Sequence, residues 1–121
     1  MLDHIGLKVK DLQAAVRFYA AALAPLGHVV ASQDDNGAGI GPPGAPALWL
    51  YADAAGTART GVHLAFAAAD RAQVDRFFAG GRDAGGRDNG APGLRTDYAP
   101  TYYAAFLVDP DGNNVEAVCM R

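Results

Sequence analysis

The feature that most constrains this sequence is an internal repeat, offset by the 59 residues that separate His4 from His63. At this offset Asp11 falls on Asp70. The pairs that follow align in the same order: Arg17 with Arg76, Phe18 with Phe77, and Tyr19 with Phe78. Because repeated segments of this length are commonly two copies of one structural unit, the chain is expected to fold as a pair of similar modules.

Each half carries the same succession of local patterns. Residues 3–9 and 62–67 alternate between apolar and polar or small side chains, which predicts strands with one buried face. Asp11 and Asp70 then stand where a helix N-cap belongs, ahead of apolar residues at helical spacing. Three short strand candidates follow each helix: 27–31, a weak one near Ile40, and 47–51, then one around Leu94, 102–108 and 114–119. The glycine-rich segment 80–93 is interpreted as a mobile loop, since glycine is costly to order.

These patterns predict an α+β fold of two βαβββ modules with a mixed, mostly antiparallel sheet. The 121 residues fit one domain, divided into a first module at 1–56 and a second at 57–121. Half of the residues are apolar and 19% are charged, which is a globular composition.

Charge and cysteine content narrow the partners and the compartment. A net charge of −3 disfavours nucleic acid and anionic membranes, both of which require a basic surface. No apolar run approaches the roughly 20 residues that span a bilayer, and the N-terminus lacks the pattern of a signal peptide. The single cysteine, Cys119, fits a reducing compartment. We therefore expect a cytoplasmic protein with no membrane or nucleic-acid partner.

Three residues form a candidate metal-ligand set. His4 and His63 occupy equivalent strand positions, on the face opposite the bulky apolar residues and beside small ones. Glu116 lies in the last apolar strand, where an isolated carboxylate is costly to bury unless it is paired or bound to a metal. Two imidazoles and one carboxylate suit one divalent Fe, Mn, Zn, Ni or Co ion, with positions left open for substrate. Taken singly, each residue has an ordinary structural interpretation: a hydrogen-bonded strand histidine or an exposed edge glutamate.

Three segments resemble the strands that characterise the vicinal oxygen chelate superfamily, which comprises glyoxalases, bleomycin resistance proteins and extradiol dioxygenases. They are His4–Val9, Gly61–Phe66 and Asp109–Val118, and the stretch from Asp109 to Glu116 is the most specific of them. The resemblance implies two βαβββ modules that form a cup around a divalent metal. It also implies a homodimer, and the metal site is then either contained within one chain or shared, with His4 of one chain meeting His63 and Glu116 of the other.

The resemblance further implies roles for residues near the metal. Tyr102 is expected to act as a catalytic proton or hydrogen-bond donor. Trp49, Tyr51 and Phe106 are expected to line the substrate pocket, although Trp49 and Tyr51 are equally compatible with an ordinary sheet position. Lactoylglutathione lyases of the superfamily place a glutamate in the strand that here reads 47–51, and this chain has none there.

The function expected from the resemblance is that of a metal-dependent lyase, dioxygenase or transferase. It would act on a small oxygen-rich or aromatic substrate, with the metal as a Lewis acid. Isomerisation, ring cleavage and thiol addition all stay open. The alternatives are a metal-free, small-molecule (antibiotic) binding protein of the bleomycin resistance kind, and a protein that keeps the metal site without efficient activity.

Overall fold

The computed structural model describes all 121 residues. The first half of the chain forms one mixed sheet with one helix. Strand β1 pairs in parallel with β4, whereas the β4–β3 and β3–β2 pairs are antiparallel, so the strand order is β1-β4-β3-β2. A short 3₁₀ turn at Ala24–Leu26 follows the helix. The elements are β1 (Ile5–Val9), α1 (Leu12–Leu23), β2 (Val29–Gln33), β3 (Gly37–Gly41) and β4 (Leu48–Ala52).

The second half repeats this arrangement in a second sheet of order β5-β8-β7-β6. Here β5 and β8 are parallel and the other two pairs are antiparallel. The elements are β5 (His63–Ala67), α2 (Arg71–Asp83), β6 (Arg87–Leu94), β7 (Tyr103–Val108) and β8 (Asn114–Cys119). The predicted α+β fold of two βαβββ modules is therefore confirmed.

Both helices begin at the aspartates that the sequence identified. The Asp11 carboxylate accepts a hydrogen bond from the Ala14 N–H at 3.0 Å, and the Asp70 carboxylate accepts one from the Gln73 N–H at 2.8 Å. These bonds satisfy backbone donors that have no partner within the first helical turn. The repeat therefore also preserves the residues that start each helix.

The two modules share one core, in which α1 packs against α2 and each helix packs on one face of its own sheet. The helices approach closely because glycine lies at their contact. A Cβ at Gly80 would stand 2.9 Å from the Ala21 carbonyl oxygen, and one at Gly81 would stand 3.2 Å from the Ala22 Cβ. We call the sheet face that packs on a helix the inner face and the opposite one the outer face. The outer faces of both sheets are thus turned away from the helices.

The turn before β8 connects the two modules. The buried Asp109 carboxylate accepts hydrogen bonds from the Tyr19 hydroxyl of α1 at 2.5 Å and from the Asn113 N–H at 2.8 Å. Asp111 accepts from the Lys10 N–H at 2.9 Å, and Asn113 accepts from the Val62 N–H at 3.1 Å. The stretch that carried the strongest family resemblance therefore holds the first module's helix and strand end against the second module.

The prediction of a mobile loop over 80–93 is wrong. This segment ends α2 and forms β6, which pairs with β7 through irregular register steps. Its glycines serve close packing: a Cβ at Gly86 would stand 2.5 Å from the Phe18 ring, and one at Gly90 would stand 3.0 Å from the Phe106 ring. Because contacts with distant aromatic rings impose the order, the low intrinsic propensity of glycine for regular structure does not decide the outcome.

Candidate functional site

The outer face of the second sheet brings together residues from three neighbouring strands. In β8, Val115, Ala117 and Cys119 enter the core, so Glu116 between them points to the outer face. Glu116 lies across from Ala65 of β5 and from Phe106 of β7. His63 is two residues before Ala65, which places its side chain on the same face and beside Glu116.

Glu116 is the centre of a hydrogen-bonded trio. Its side chain is only 2% exposed. Its Oε2 lies 2.9 Å from His63 Nε2, and its Oε1 accepts a short hydrogen bond from the Tyr102 hydroxyl. A buried carboxylate without hydrogen-bond partners would strongly destabilise the fold. The two bonds therefore explain why Glu116 can be buried at this position. The structure therefore brings together three of the residues that the sequence nominated: His63, Glu116 and Tyr102.

The Tyr102 hydroxyl is a hydrogen-bond donor in this trio. The hydrogen bond to Glu116, followed by burial and by the negative charge of Glu116, raises the pKa of Tyr102 to about 12. Tyr102 lies immediately before β7, and the Tyr98 ring packs edge-on against it with 5.1 Å between ring centroids. At neutral pH the phenol therefore keeps its proton and orients the carboxylate.

His4 lies apart from this trio, in the first module. It immediately precedes β1, its side chain is 57% exposed, and its Nδ1 stands 2.7 Å from Asp3 Oδ1. An apolar crevice of about 260 Å³ opens beside it, lined by apolar residues that include Leu23, Leu48 and Phe66. No three His, Cys, Asp or Glu side chains of the single chain come together in a way that could hold a metal ion. Of the three predicted ligands, one chain therefore brings His63 and Glu116 together and leaves His4 apart from them.

The geometry of the pair is compatible with a divalent ion. Imidazole nitrogen and carboxylate oxygen bind such ions at about 2.1 Å, so two adjacent ligands at a right angle stand about 3 Å apart. The separation of His63 Nε2 from Glu116 Oε2 is 2.9 Å. Tyr102 occupies only the other carboxylate oxygen. The donor set therefore fits two coordination positions, and further protein ligands have to come from outside the pair.

The aromatic residues expected to line a pocket are divided between the two sheets. Trp49 and Tyr51 lie on the outer face of the first sheet, where their rings cover glycines: a Cβ at Gly39 would stand 2.7 Å from the Trp49 ring, and one at Gly6 would stand 2.7 Å from the Tyr51 ring. Phe106 lies on the outer face of the second sheet, with its ring centroid 6.4 Å from that of His63. Only Phe106 of the three is therefore next to the trio within one chain.

One charged residue of this face was missed in the sequence. The Arg95 guanidinium carbon stands 5.4 Å from the centroid of the Phe106 ring. Arg95 follows β6 directly, and no spacing or motif links it to Phe106. Only the pairing of β6 with β7 brings the two together, so no signal in the sequence identified it.

Comparison with known proteins places the chain in a structural context. The model of the Glyoxalase/Bleomycin resistance protein/Dioxygenase superfamily matches residues 1–117. A glyoxalase/bleomycin resistance protein from Albidiferax ferrireducens T118 is 32% identical, with a TM-score of 0.87 and 98% of each chain covered. No curated protein gives a significant match.

Two more distant structures share the fold alone. A glyoxalase-related enzyme from Fulvimarina pelagi has 20% identity and a TM-score of 0.75, with 98% of this chain and 87% of that chain covered. A glyoxalase/bleomycin resistance protein/dioxygenase family enzyme from Burkholderia phytofirmans PsJN has 17% identity, a TM-score of 0.74 and 98% of each chain covered.

Neither α1 nor α2 of the chain described here has the length and apolar character required to cross a membrane.

Proposed function

Because this chain belongs to the Glyoxalase/Bleomycin resistance protein/Dioxygenase superfamily, we propose that it is a metal-dependent enzyme acting on a small oxygen-rich or aromatic molecule. The ligands in this proposal are His63 and Glu116 of one chain and His4 of a second copy in a homodimer. The observation that carries the proposal is the buried Glu116 carboxylate, held on an open sheet face between the Tyr102 hydroxyl and His63 Nε2.

In this proposal His63 and Glu116 bind the metal, and Tyr102 orients Glu116 through a hydrogen bond. Groups that bind metals are commonly oriented by a further hydrogen bond, which fixes their geometry and tunes their basicity. In this proposal Tyr102 has that role toward Glu116, because its hydroxyl donates a hydrogen bond to Oε1 and leaves Oε2 free to bind the ion. The half-exposed His63 ring leaves the pair accessible to a small molecule.

A second copy of the chain would supply what one chain lacks. His4, Trp49 and Tyr51 belong to the first sheet, whereas the trio belongs to the second. The outer face of one chain's first sheet, placed against the outer face of another's second sheet, would unite both sets. Exposed apolar side chains support such burial, because edges and patches of this kind are normally covered. They include Val29 and Val30 on the edge strand β2 and Tyr51, Leu94 and Tyr98.

A bound divalent ion would act as a Lewis acid toward adjacent oxygens of the substrate. The chain's own contribution would be to hold the carboxylate through Tyr102, to present Phe106 as an apolar wall, and to receive the aromatic rings of the partner. The reaction type stays open among lyase, dioxygenase and transferase chemistry.

A metal-free binding protein is the second candidate, and one observation favours it. Both oxygens of Glu116 have hydrogen-bond partners within the chain itself, the Tyr102 hydroxyl and His63 Nε2. In that case the trio would be a polar anchor for a sequestered small molecule, and no bond of the ligand would change.

Metal analysis of two histidine variants tests the proposal. His63→Ala and His4→Ala should each abolish tight binding of Zn²⁺ or Co²⁺. His28→Ala is the matched control, because His28 lies outside the set of three. Full metal content in His63→Ala would refute the assignment.

Mixing the two variants tests whether the site is shared. If each site combines His4 of one chain with His63 of the other, a hybrid dimer has one intact and one doubly altered site. Random exchange of subunits should therefore restore about a quarter of the original metal sites. A monomer in sedimentation experiments, or no recovery after subunit exchange, would contradict the shared site.

A further inference from the structure

Arg95 differs from the other basic side chains of this protein. The chain has 10 lysines and arginines, and Arg95 is the one that is half-buried, whereas the rest are exposed. The pairs at salt-bridge distance both involve histidine, at His4 and His63. No carboxylate therefore neutralises Arg95, although a guanidinium remains charged at any ordinary pH and partial burial disfavours an uncompensated charge.

The guanidinium lies in a cradle of backbone and aromatic ring. Its Nη2 donates a 2.7 Å hydrogen bond to the Ala91 carbonyl oxygen, and its carbon stands 5.4 Å from the Phe106 ring centroid. A Cβ at Gly90 would come within 3.2 Å of Nη2, and one at Gly93 within 3.1 Å of Nη1. The two glycines thus leave room for the guanidinium against the strand. Ala91 uses one of five N–H donors, so the group is oriented and still has donors to offer.

The Phe106 ring links Arg95 to the candidate site. The centroid of the Phe106 ring stands 5.4 Å from the Arg95 guanidinium carbon and 6.4 Å from the centroid of the His63 ring. The guanidinium and the imidazole therefore lie within about 12 Å of each other, the sum of these two distances. A small molecule can span that distance along one apolar ring. Arg95 is not the counterion of Glu116, because no salt bridge joins them.

We infer that Arg95 determines substrate class: it binds an oxyanion group, a carboxylate or a phosphate, on a molecule whose apolar or planar part lies against Phe106. This inference rests on the proposed function only in placing the substrate on the outer face of the second sheet. Arginine suits the task because its planar fork matches the geometry of carboxylate and phosphate oxygens. The uncompensated charge then has its partner in the ligand.

The test uses metal-free, chelator-treated protein of full length, so that metal coordination cannot contribute. Phenyl phosphate is the anionic probe and benzyl alcohol the neutral one, and binding is followed by amide chemical shifts in NMR titrations. Arg95→Gln should weaken phenyl phosphate binding between about tenfold and about a hundredfold, as expected for a charge-assisted hydrogen bond. Benzyl alcohol binding should change less than about twofold, since it depends on the apolar surface.

Two further variants complete the design. Arg95→Lys keeps the charge without the planar fork, so its affinity for phenyl phosphate should lie between those of wild type and Arg95→Gln. Arg71→Gln is the matched control, because Arg71 also stacks on an aromatic ring of β7, 5.0 Å from the Tyr103 centroid, but it is the first residue of α2 and lies away from Phe106 and His63. Melting temperatures confirm that each variant is folded. Equal losses in Arg95→Gln and Arg71→Gln, or equal affinities of wild type for both probes, would overturn the inference.

Metal titration separates this inference from the proposed function. Arg95→Gln should bind Zn²⁺ with the stoichiometry of wild type, because Arg95 is not among the ligands. If wild type binds no Zn²⁺ but the phenyl phosphate results hold, the metal proposal fails and the role of Arg95 stands. If Zn²⁺ binds but Arg95→Gln retains full affinity for phenyl phosphate, the role of Arg95 fails and the metal proposal stands.

Discussion

Substitution of Tyr19 by Phe tests whether the turn before β8 holds the two modules together. Tyr19 is fully buried in α1, and its hydroxyl donates a 2.5 Å hydrogen bond to the buried Asp109 carboxylate. The substitution leaves the ring and its packing in place and removes only this donor. Asp109 would keep its bonds from the Asp111 N–H and from the backbone and side-chain amides of Asn113.

The expected loss follows from the nature of this bond. A hydrogen bond to a charged group contributes about 1.5–3 kcal/mol, and burial of both partners favours the upper half of that range. The free energy of unfolding should therefore fall by about 2–3 kcal/mol, with the melting temperature lower by roughly 6–12 °C for a chain of this size. Circular dichroism during urea and thermal unfolding, at one fixed protein concentration, measures both quantities.

The burial of Tyr19 beside Asp109 also determines the response to alkaline pH. Burial, and then the charge of Asp109 and the hydrogen bond to it, raise the pKa of Tyr19 far above its ordinary value. Since an unfolded tyrosine ionises near pH 10, Tyr19 contributes stability that is fully present below pH 10 and is lost as pH rises above it. Tyr19→Phe should therefore lose less stability than wild type above pH 10.

A matched control separates the hydroxyl's role from a general effect of losing a phenol. Tyr51 is 45% exposed on the outer face of the first sheet, so Tyr51→Phe should change stability by less than about 0.5 kcal/mol. If Tyr19→Phe also stays within that limit, the idea that this turn joins the modules is refuted.

Three other predictions concern the site and the helix contact. Tyr102→Phe should lower Zn²⁺ affinity between about tenfold and a hundredfold, because it removes the group that orients Glu116; unchanged affinity in competition titrations would exclude that role. Added Zn²⁺ should raise the melting temperature more at pH 8 than at pH 5, since protons and metal compete for imidazole nitrogen; equal shifts would mean that the ligands are not histidines. Gly81→Val should destabilise the protein by about 1–3 kcal/mol through overpacking against Leu107 of β7 and Ala22 of α1, whereas Ala79→Val on the exposed side of α2 should have little effect; similar unfolding curves for the two would contradict the close packing around Gly81.

Much of the architecture could be predicted because it depends on local patterns. The caps at Asp11 and Asp70 and the alternation around His63 each involve residues within one turn or one strand. The repeat then predicted that both halves share one topology. The position of Glu116 opposite the core also followed, since residues alternate strictly along a strand.

The 80–93 segment shows where local patterns were insufficient. Its glycines indicated mobility by composition, but in the fold they face the rings of Phe18 and Phe106 and a strand forms there. Composition describes the cost of ordering a segment. It does not include the contacts with distant residues that can outweigh that cost.

The sequence by itself determined the module type and the helix starts, and it nominated the side chains that could bind a metal, because each of these depends on side-chain identity and short spacing. Only the tertiary structure decided which of them meet. Pairing of β5, β8 and β7 joins His63, Glu116 and Tyr102, while the pairing of β1 with β4 leaves His4 with the other sheet. The cradle of Arg95 likewise exists only once β6 lies beside β7. Such proximity depends on strand pairing and helix packing across many residues of sequence, and no local pattern encodes it.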